Sequence, residues 1–233
     1  MAALADLARL PAGTLAAVSL TLLLAAIVRG YSGFGFSMLA VSGLTLALPP
    51  AEAIPIALTL EVLASVKMLP AIWRQVDWRS LWPLIAGTVA ATPFGVHLLA
   101  NLPETPIRIA IAVLVVAVTA LLWRGFALKR MPGLVSTVAT GAAAGLLNGS
   151  LGIGGPPVIL FYLSSSAGTA AARASLVAYF FVTDAYAIAL GAAEGLVSPK
   201  TFLATLALVP VLLIGVLRPG YETPGCASSG GQL

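Results

Sequence analysis

The stretch RGYSGFGFSMLA, from Arg29 to Ala40, interrupts a hydrophobic run with three glycines, two serines and an arginine. Glycine leaves helical geometry at little cost, so this stretch predicts a helix that breaks. A related stretch, NGSLGIGGPPVI, runs from Asn148 to Ile159. Gly30, Gly33 and Gly35 each lie 119 residues before a glycine of the second stretch, since 149 − 30 = 119. The two stretches therefore indicate an internal repeat.

The composition predicts a membrane protein. Of the 233 residues, 60% are hydrophobic and 9% are charged, against about 45–50% apolar and 25% charged in soluble domains. The net charge of +4 is spread between apolar segments, which is typical of membrane topology and not of a nucleic-acid-binding face. The expected partners are therefore the lipid bilayer and no nucleic acid. One cysteine, Cys226, and one histidine, His97, disfavour a disulfide or a metal site, and no metal, cofactor or catalytic residue is expected.

Segment lengths predict an all-α polytopic fold, because about 20 apolar residues cross the hydrocarbon core. The candidate spans are residues 12–28, 53–72, 80–100, 106–123, 133–147 (short), 174–193 and 199–217. Two further apolar pieces, 36–48 and 156–166, are too short to cross and directly follow the glycine stretches. Each predicts a glycine-broken or re-entrant helix.

These segments divide the chain into two transmembrane repeats and a tail. The predicted repeats are residues 1–128 and 129–217, the second of them incomplete, followed by a polar and disordered tail at 218–233. If each repeat crosses an odd number of times, the second is inverted relative to the first. The sequence does not indicate an oligomeric state.

Charged connections predict the orientation. WRQVDWRS at residues 73–80 and WRGFALKRMP at 123–132 are basic, whereas NLPETPIR at 101–108 has one arginine. The positive-inside rule places the first two connections in the cytoplasm and the third outside. Two spans separate the basic connections, so these assignments agree with each other.

The two glycine stretches carry a family resemblance. RGYSGFGFSMLAVSGLTLALPP and GLLNGSLGIGGPPVILFYL are similar to the paired motifs of the TauE/SafE sulfite exporter family, also called TSUP permeases. The resemblance covers about residues 12–217. It implies a multi-spanning permease of the bacterial cytoplasmic membrane that moves small sulfur-containing anions such as sulfite, sulfoacetate or related sulfonates. Members differ in substrate, so the resemblance does not identify the anion.

Such an anion needs hydrogen-bond donors and positive potential, which backbone N–H groups at half-helix N-termini provide inside a membrane. Serine and asparagine add side-chain donors, and proline suits a first helical turn. The candidate substrate-binding residues are Arg29, Ser32, Gly33, Gly35, Ser37, Asn148, Ser150, Gly152, Gly154, Gly155, Pro156 and Arg173. The alternatives are glycines that only permit close helix packing and arginines that snorkel to the interface.

Two carboxylates, Glu61 and Asp184, lie deep within predicted spans. Intramembrane carboxylates commonly mark a proton or ion route. Glu61 is six residues from Lys67, a spacing that does not bring the two side chains together on a helix.

Export is the predicted direction, because the negative cell interior drives an anion outward without a coupling ion. One alternative is proton-coupled uptake through Glu61 or Asp184. A second alternative is a transport-inactive truncated membrane subunit, because Gly215 is followed by the polar tail where the first half continues into another span. An enzyme is not expected, since the glycine stretches lack the soluble strand-helix context of dinucleotide sites.

Overall fold

The computed structural model describes residues 12–124, 133–163 and 168–216, and every regular element in these ranges is helical. In chain order the helices are α1 (Ala12–Ser32), α2 (Phe36–Leu44), α3 (Pro50–Ile72), α4 (Trp78–Asn101), α5 (Glu104–Trp123), α6 (Leu134–Leu151), α7 (Gly155–Leu163), α8 (Gly168–Ala193) and α9 (Pro199–Val216). A short 3-10 turn, Trp73–Gln75, extends α3.

Within these ranges, five helices are long and apolar enough to cross a membrane. They are α3 with its 3-10 turn, α4, α5, α6 and α8. Shorter apolar stretches, Ala16–Ser32 and Thr201–Leu213, lie in α1 and α9. The chain is therefore a multi-pass membrane protein. The short span predicted at 133–147 is corrected, because α6 continues as a helix through the glycines to Leu151.

The chain leaves helical geometry at both glycine stretches. Gly33 and Gly35, between α1 and α2, have φ values of 80° and 86°, and Gly152, after α6, has a φ of 66°. A side chain with a Cβ pays roughly 1–2 kcal/mol in this left-handed region, whereas glycine does not. The helices that follow, α2 and α7, have nine residues each, or about 13 Å, which is less than half of the roughly 30 Å hydrocarbon core.

The ends of the helices at the two glycine stretches show the same 119-residue offset as the glycines themselves. Ser32 and Leu151 end α1 and α6, and 151 − 32 = 119. Phe36 and Gly155 begin α2 and α7 with the same offset. The division into repeats at 1–128 and 129–217 stays a prediction, and the tail at 218–233 lies outside the described residues.

Three glycines allow α6 to pack directly against the backbone of α4. A Cβ at Gly141, Gly145 or Gly149 would overlap the carbonyl oxygens of Leu84, Thr88 and Thr92, respectively. The spacing of four residues places these glycines on one helix face, as in the small-xxx-small interfaces of membrane helices. Gly149 belongs to the second glycine stretch, so at this position close packing explains the glycine.

Hydrogen bonds and one close side-chain contact identify which connections lie at the same end of the bundle. Arg108, near the start of α5, donates to the carbonyls of Thr45 and Leu48, which places the α2–α3 and α4–α5 connections together. His97 of α4 lies 3.8 Å from Glu194, which follows α8. The α3–α4 connection and the beginning of α8 therefore lie at the opposite end.

Candidate functional site

Arg29, in the last turns of α1, is buried among the helices. Its side chain is 0% exposed, and its Nη1 atom donates to Oε1 of Glu61 at 2.6 Å. Its Nη2 atom donates to the hydroxyl of Ser65 at 2.6 Å, and the guanidinium carbon lies 5.3 Å from the centre of the Phe180 ring. The guanidinium is thus neutralised inside the protein and does not snorkel to an interface.

A second polar pair joins α6 to α8. Nδ2 of Asn148 donates to Oδ1 of Asp184 at 2.9 Å, and both side chains are buried. Asp184 also interacts electrostatically with Glu61 and Arg29. Arg29, Glu61, Asn148 and Asp184 therefore form one group, called here the buried polar cluster, to which both carboxylates of the predicted ion route belong.

Two hydrogen bonds, Arg29 to Ser65 and Asn148 to Asp184, are related by the same 119-residue offset as the glycine stretches. Arg29 bonds Ser65 and Asn148 bonds Asp184, while 148 − 29 = 119 and 184 − 65 = 119. Each half of the chain thus uses the last turns of one helix to contact a polar side chain two helices further on.

Each member of the buried polar cluster retains hydrogen-bonding capacity. Nε of Arg29, Oε2 of Glu61, Oδ1 of Asn148 and Oδ2 of Asp184 make no hydrogen bond within the described part of the chain. Buried polar atoms of this kind usually have a water or ligand partner. The buried polar cluster can therefore accept further polar groups.

An inner cavity of about 200 Å³ lies between the two glycine stretches. Its lining includes Gly35 and Ser37 from the first stretch, and Gly155 and Pro156 from the second, together with Glu61. Ser37 lies in the first turn of α2, so the Glu61 carboxylate and the N-terminal end of the first short helix line the same space.

A larger vestibule of about 450 Å³ adjoins the inner cavity. Ser32 and Arg173 line it, and Phe34 and Ile159 line both spaces. Nη2 of Arg173 donates to the carbonyl of Gly30 at 2.6 Å. The two cavities are therefore neighbours, with an aromatic and an aliphatic side chain between them.

Gly33 leaves the space in which the Arg173 side chain lies. A Cβ on Gly33 would come within 2.6 Å of Cγ of Arg173. The first glycine stretch thus positions Arg173 in two ways. Gly33 leaves room for the arginine side chain, and the Gly30 carbonyl accepts its hydrogen bond.

The vestibule lies at the end of the bundle that carries a basic connection. The backbone amide of Asp77, between α3 and α4, donates to the hydroxyl of Ser175 at 2.9 Å, and Ser175 lies two residues after Arg173. Toward the opposite end, the space lined by Ile54, Val96 and other apolar residues measures only about 10 Å³. Among the described helices, the larger cavity thus lies toward the basic end, and only a very small space lies toward the other.

Six of the twelve predicted substrate-binding residues line neither cavity: Arg29, Gly33, Asn148, Ser150, Gly152 and Gly154. The Ser150 hydroxyl donates to the Leu146 carbonyl of its own helix at 2.7 Å. A Cβ on Gly152 would come within 2.9 Å of the Ile54 side chain, and one on Gly154 within 2.8 Å of Asn148. These two glycines permit close packing, and Gly154 does so directly beside the buried polar cluster.

Several participating residues were not identified from the sequence. Phe34 and Ile159 lie inside the quoted stretches, but their apolar side chains gave no signal of a place between two cavities. The Tyr179 hydroxyl shares a 2.6 Å hydrogen bond with Thr88, and Thr88 donates to the Gly141 carbonyl at 2.9 Å. This chain of contacts ties α8 to the α4–α6 pair. Among the described residues, no three His, Cys, Asp or Glu side chains are grouped so as to hold a metal ion.

Comparison with known proteins identifies the family. The sequence profile of the family described as Sulfite exporter TauE/SafE matches residues 18–218. A Cupriavidus necator protein named "Probable sulfite/organosulfonate exporter TauE" is 29% identical over 196 residues, covering 80% of this chain and 75% of that protein. No solved structure matches the chain. With glycine-flanked short helices, a buried polar cluster and a family match across nearly all of its apolar length, this chain belongs to the TauE/SafE sulfite exporter family.

Proposed function

We propose that this protein carries a small sulfur-containing anion, such as sulfite or an organosulfonate, out of the cell across the bacterial cytoplasmic membrane. The observation that carries the proposal is the pair of neighbouring cavities, one lined by Arg173 and the other by the start of α2. An anion that passed from the first to the second would meet a cation first and then the backbone amides of a short helix. The printed name of the Cupriavidus necator relative supports the same substrate class.

The proposed direction rests on the end of the bundle at which the vestibule lies. By the positive-inside rule, the basic connections at 73–80 and 123–132 favour a cytoplasmic position for this end, where an exporter collects its substrate. Each negative charge that leaves gains about 2.3 kcal/mol per 100 mV of an inside-negative potential. Export therefore needs no gradient of a second ion to drive it.

Proton-coupled uptake is the second candidate, and the buried carboxylates favour it. Glu61 and Asp184 are 1% and 0% exposed, respectively, in helices that cross the membrane. A carboxylate at this depth can carry a proton through part of a transport cycle.

The corresponding polar pairs and helix bounds support a two-repeat organisation with inverted topology. α2 folds back along α1, where Thr21 packs on Gly43, and α6 runs parallel to α4. With the ends of the bundle assigned as above, α1 and α6 run in opposite directions, as the first helices of inverted repeats do.

Flux measurements distinguish the two directions. In vesicles that contain the purified protein, we expect loss of sulfite or sulfoacetate to follow an imposed potential and to continue without a pH gradient. Glu61→Gln and Asp184→Asn should retain this flux. Flux that disappears without a proton gradient, or in either variant, would instead establish proton-coupled uptake. No flux of any tested sulfur anion would contradict the proposal and favour a transport-inactive subunit.

Replacing the vestibule arginine should weaken substrate capture. Because a hydrogen bond to a charged group contributes about 1.5–3 kcal/mol, Arg173→Gln should raise the apparent KM for the anion about tenfold or more. The maximal rate should change little, because the buried polar cluster is untouched. Arg79→Gln is the matched control, since it removes an exposed charge from the same end of the bundle. An equal effect of the two substitutions would show that only the net charge matters.

A further inference from the structure

The inner cavity presents a carboxylate to an incoming anion. Glu61 is among the residues that line this cavity, whereas Arg29 lies behind Glu61 and is not. Oε1 of Glu61 accepts from Arg29, while Oε2 has no hydrogen bond within the described residues. An anion that entered the cavity would therefore face a negative charge directly in front of the buried cation.

The groups that surround Glu61 are those that would bind a sulfonate. The guanidinium of Arg29 offers several donors in a fixed plane, which suits an oxyanion with more than one oxygen. The Ser37 amide contributes the positive end of α2. Phe180, beside Arg29, keeps this region apolar and strengthens charge interactions there. The carboxylate of Glu61 thus stands where a substrate oxyanion would gain the most.

We propose that Glu61 competes with the transported anion for Arg29 and for the first turn of α2, and releases them when it binds a proton. The inference rests on the proposed function and concerns how its site is filled. Binding is an exchange in which one proton goes to Glu61, the ion pair between Glu61 and Arg29 breaks, and an ion pair between Arg29 and the anion forms. No covalent bond other than the new O–H changes.

Glu61 is the competing group because of its position among the charges around it. From α1 it faces Arg29, and from α8 it interacts with Asp184. On α5, Arg108 bonds the carbonyls at the far end of α2, and His97 of α4 is exposed near Glu194. Helix α2 has no titratable side chain, and neither does Thr201–Leu213 of α9. Asp184 lines none of the cavities described above and is hydrogen-bonded to Asn148.

Proton linkage is compatible with export. Sulfoacetate carries two negative charges above mildly acidic pH, since carboxyl groups titrate near about pH 4. When it crosses with one proton, one negative charge still moves, and the membrane potential continues to favour its exit.

The test is sulfoacetate binding to the purified wild-type protein and to Glu61→Gln from mildly acidic to mildly alkaline pH. In the wild type we expect affinity to fall as pH rises, approaching about tenfold per pH unit for one linked proton. Calorimetry in buffers of different ionisation enthalpy should show one proton taken up per anion. In Glu61→Gln the affinity should be independent of pH, and at alkaline pH at least tenfold higher than in the wild type.

Two further variants keep the test decisive. Asp184→Asn is the matched control, because it neutralises the other buried carboxylate and should retain the pH dependence. The double variant Arg29→Gln/Glu61→Gln has no buried charge pair and should bind sulfoacetate more weakly than Glu61→Gln. If Glu61→Gln does not fold without ligand, the pH profiles and proton uptake of the wild type and of Asp184→Asn decide the question together, because a pH dependence that disappears in Asp184→Asn overturns the proposal.

The outcomes separate this inference from the proposed function. Wild-type binding that does not depend on pH, or a pH dependence that persists in Glu61→Gln and disappears in Asp184→Asn, overturns the competition and leaves the substrate class standing. Weaker binding by Glu61→Gln than by the wild type at alkaline pH also overturns it. Failure of the wild type and of every variant to bind any sulfur anion overturns both.

Discussion

Arg29→Gln alone should destabilise the protein more than removal of both charges. The single substitution leaves Glu61 buried without its cation, and breaking a buried ion pair from one side costs about 3–5 kcal/mol. Arg29→Gln/Glu61→Gln removes both charges and leaves amides that can bond each other and Ser65. We expect the apparent Tm in detergent to fall strongly for the single variant and to recover most of the loss in the double variant.

The pH dependence of this loss provides an internal check. In Arg29→Gln, proton uptake removes the uncompensated charge of Glu61, so the deficit in stability should shrink as the pH falls. The double variant has no such carboxylate and should show a deficit that does not vary with pH over the same range. Equal Tm values for the single variant and the wild type would show that the Arg29–Glu61 pair does not stabilise the fold.

Gly145→Ala should disrupt the contact between α4 and α6. Alanine normally favours a helix over glycine by about 1 kcal/mol, yet here the new Cβ overlaps the Thr88 carbonyl. Backbone atoms cannot rotate away, so the helices must separate, and overpacking of this kind costs about 1–3 kcal/mol or more. We expect a lower Tm and less monodisperse protein after purification.

Gly13→Ala is the control for this substitution. Gly13 also lies in a helix, but a Cβ there has no neighbour within 4 Å among the residues that the structure describes. The same change should leave the Tm unchanged or raise it slightly. If Gly145→Ala behaves like Gly13→Ala, the two helices have room to move apart, and the close α4–α6 contact does not limit stability.

The sequence predicted the helical class and most span bounds because hydropathy and glycine act locally. It also identified Arg29, Glu61, Asn148 and Asp184 as unusual, since polar residues in apolar spans are conspicuous. Their grouping was not predicted, because Arg29 and Glu61 are 32 residues apart and meet only through tertiary packing. The sequence excluded Lys67 as a partner of Glu61, but no local pattern indicated the arginine instead.

The roles of the individual glycines could not be predicted from the sequence. Their shared offset suggested one common role, yet the structure assigns them different ones. Gly35 adopts a backbone conformation that other residues avoid, whereas Gly149 and Gly154 make room for neighbouring atoms. Composition reports that glycine is present, and only the packed helices determine whether its φ angle or its missing side chain matters.

The close contact between α4 and α6, called here the seam, constrains how such a carrier can alternate its access between the two sides of the membrane. α4 lies in the predicted first repeat and α6 in the second, so the seam crosses the boundary between them. The backbones touch where Gly141, Gly145 and Gly149 meet α4, without space for a methyl group. Rocking one whole repeat against the other would have to open this seam and abandon its tightest contacts. We therefore expect α4 and α6 to stay together as one unit, so that a change of access would come from the helices around them.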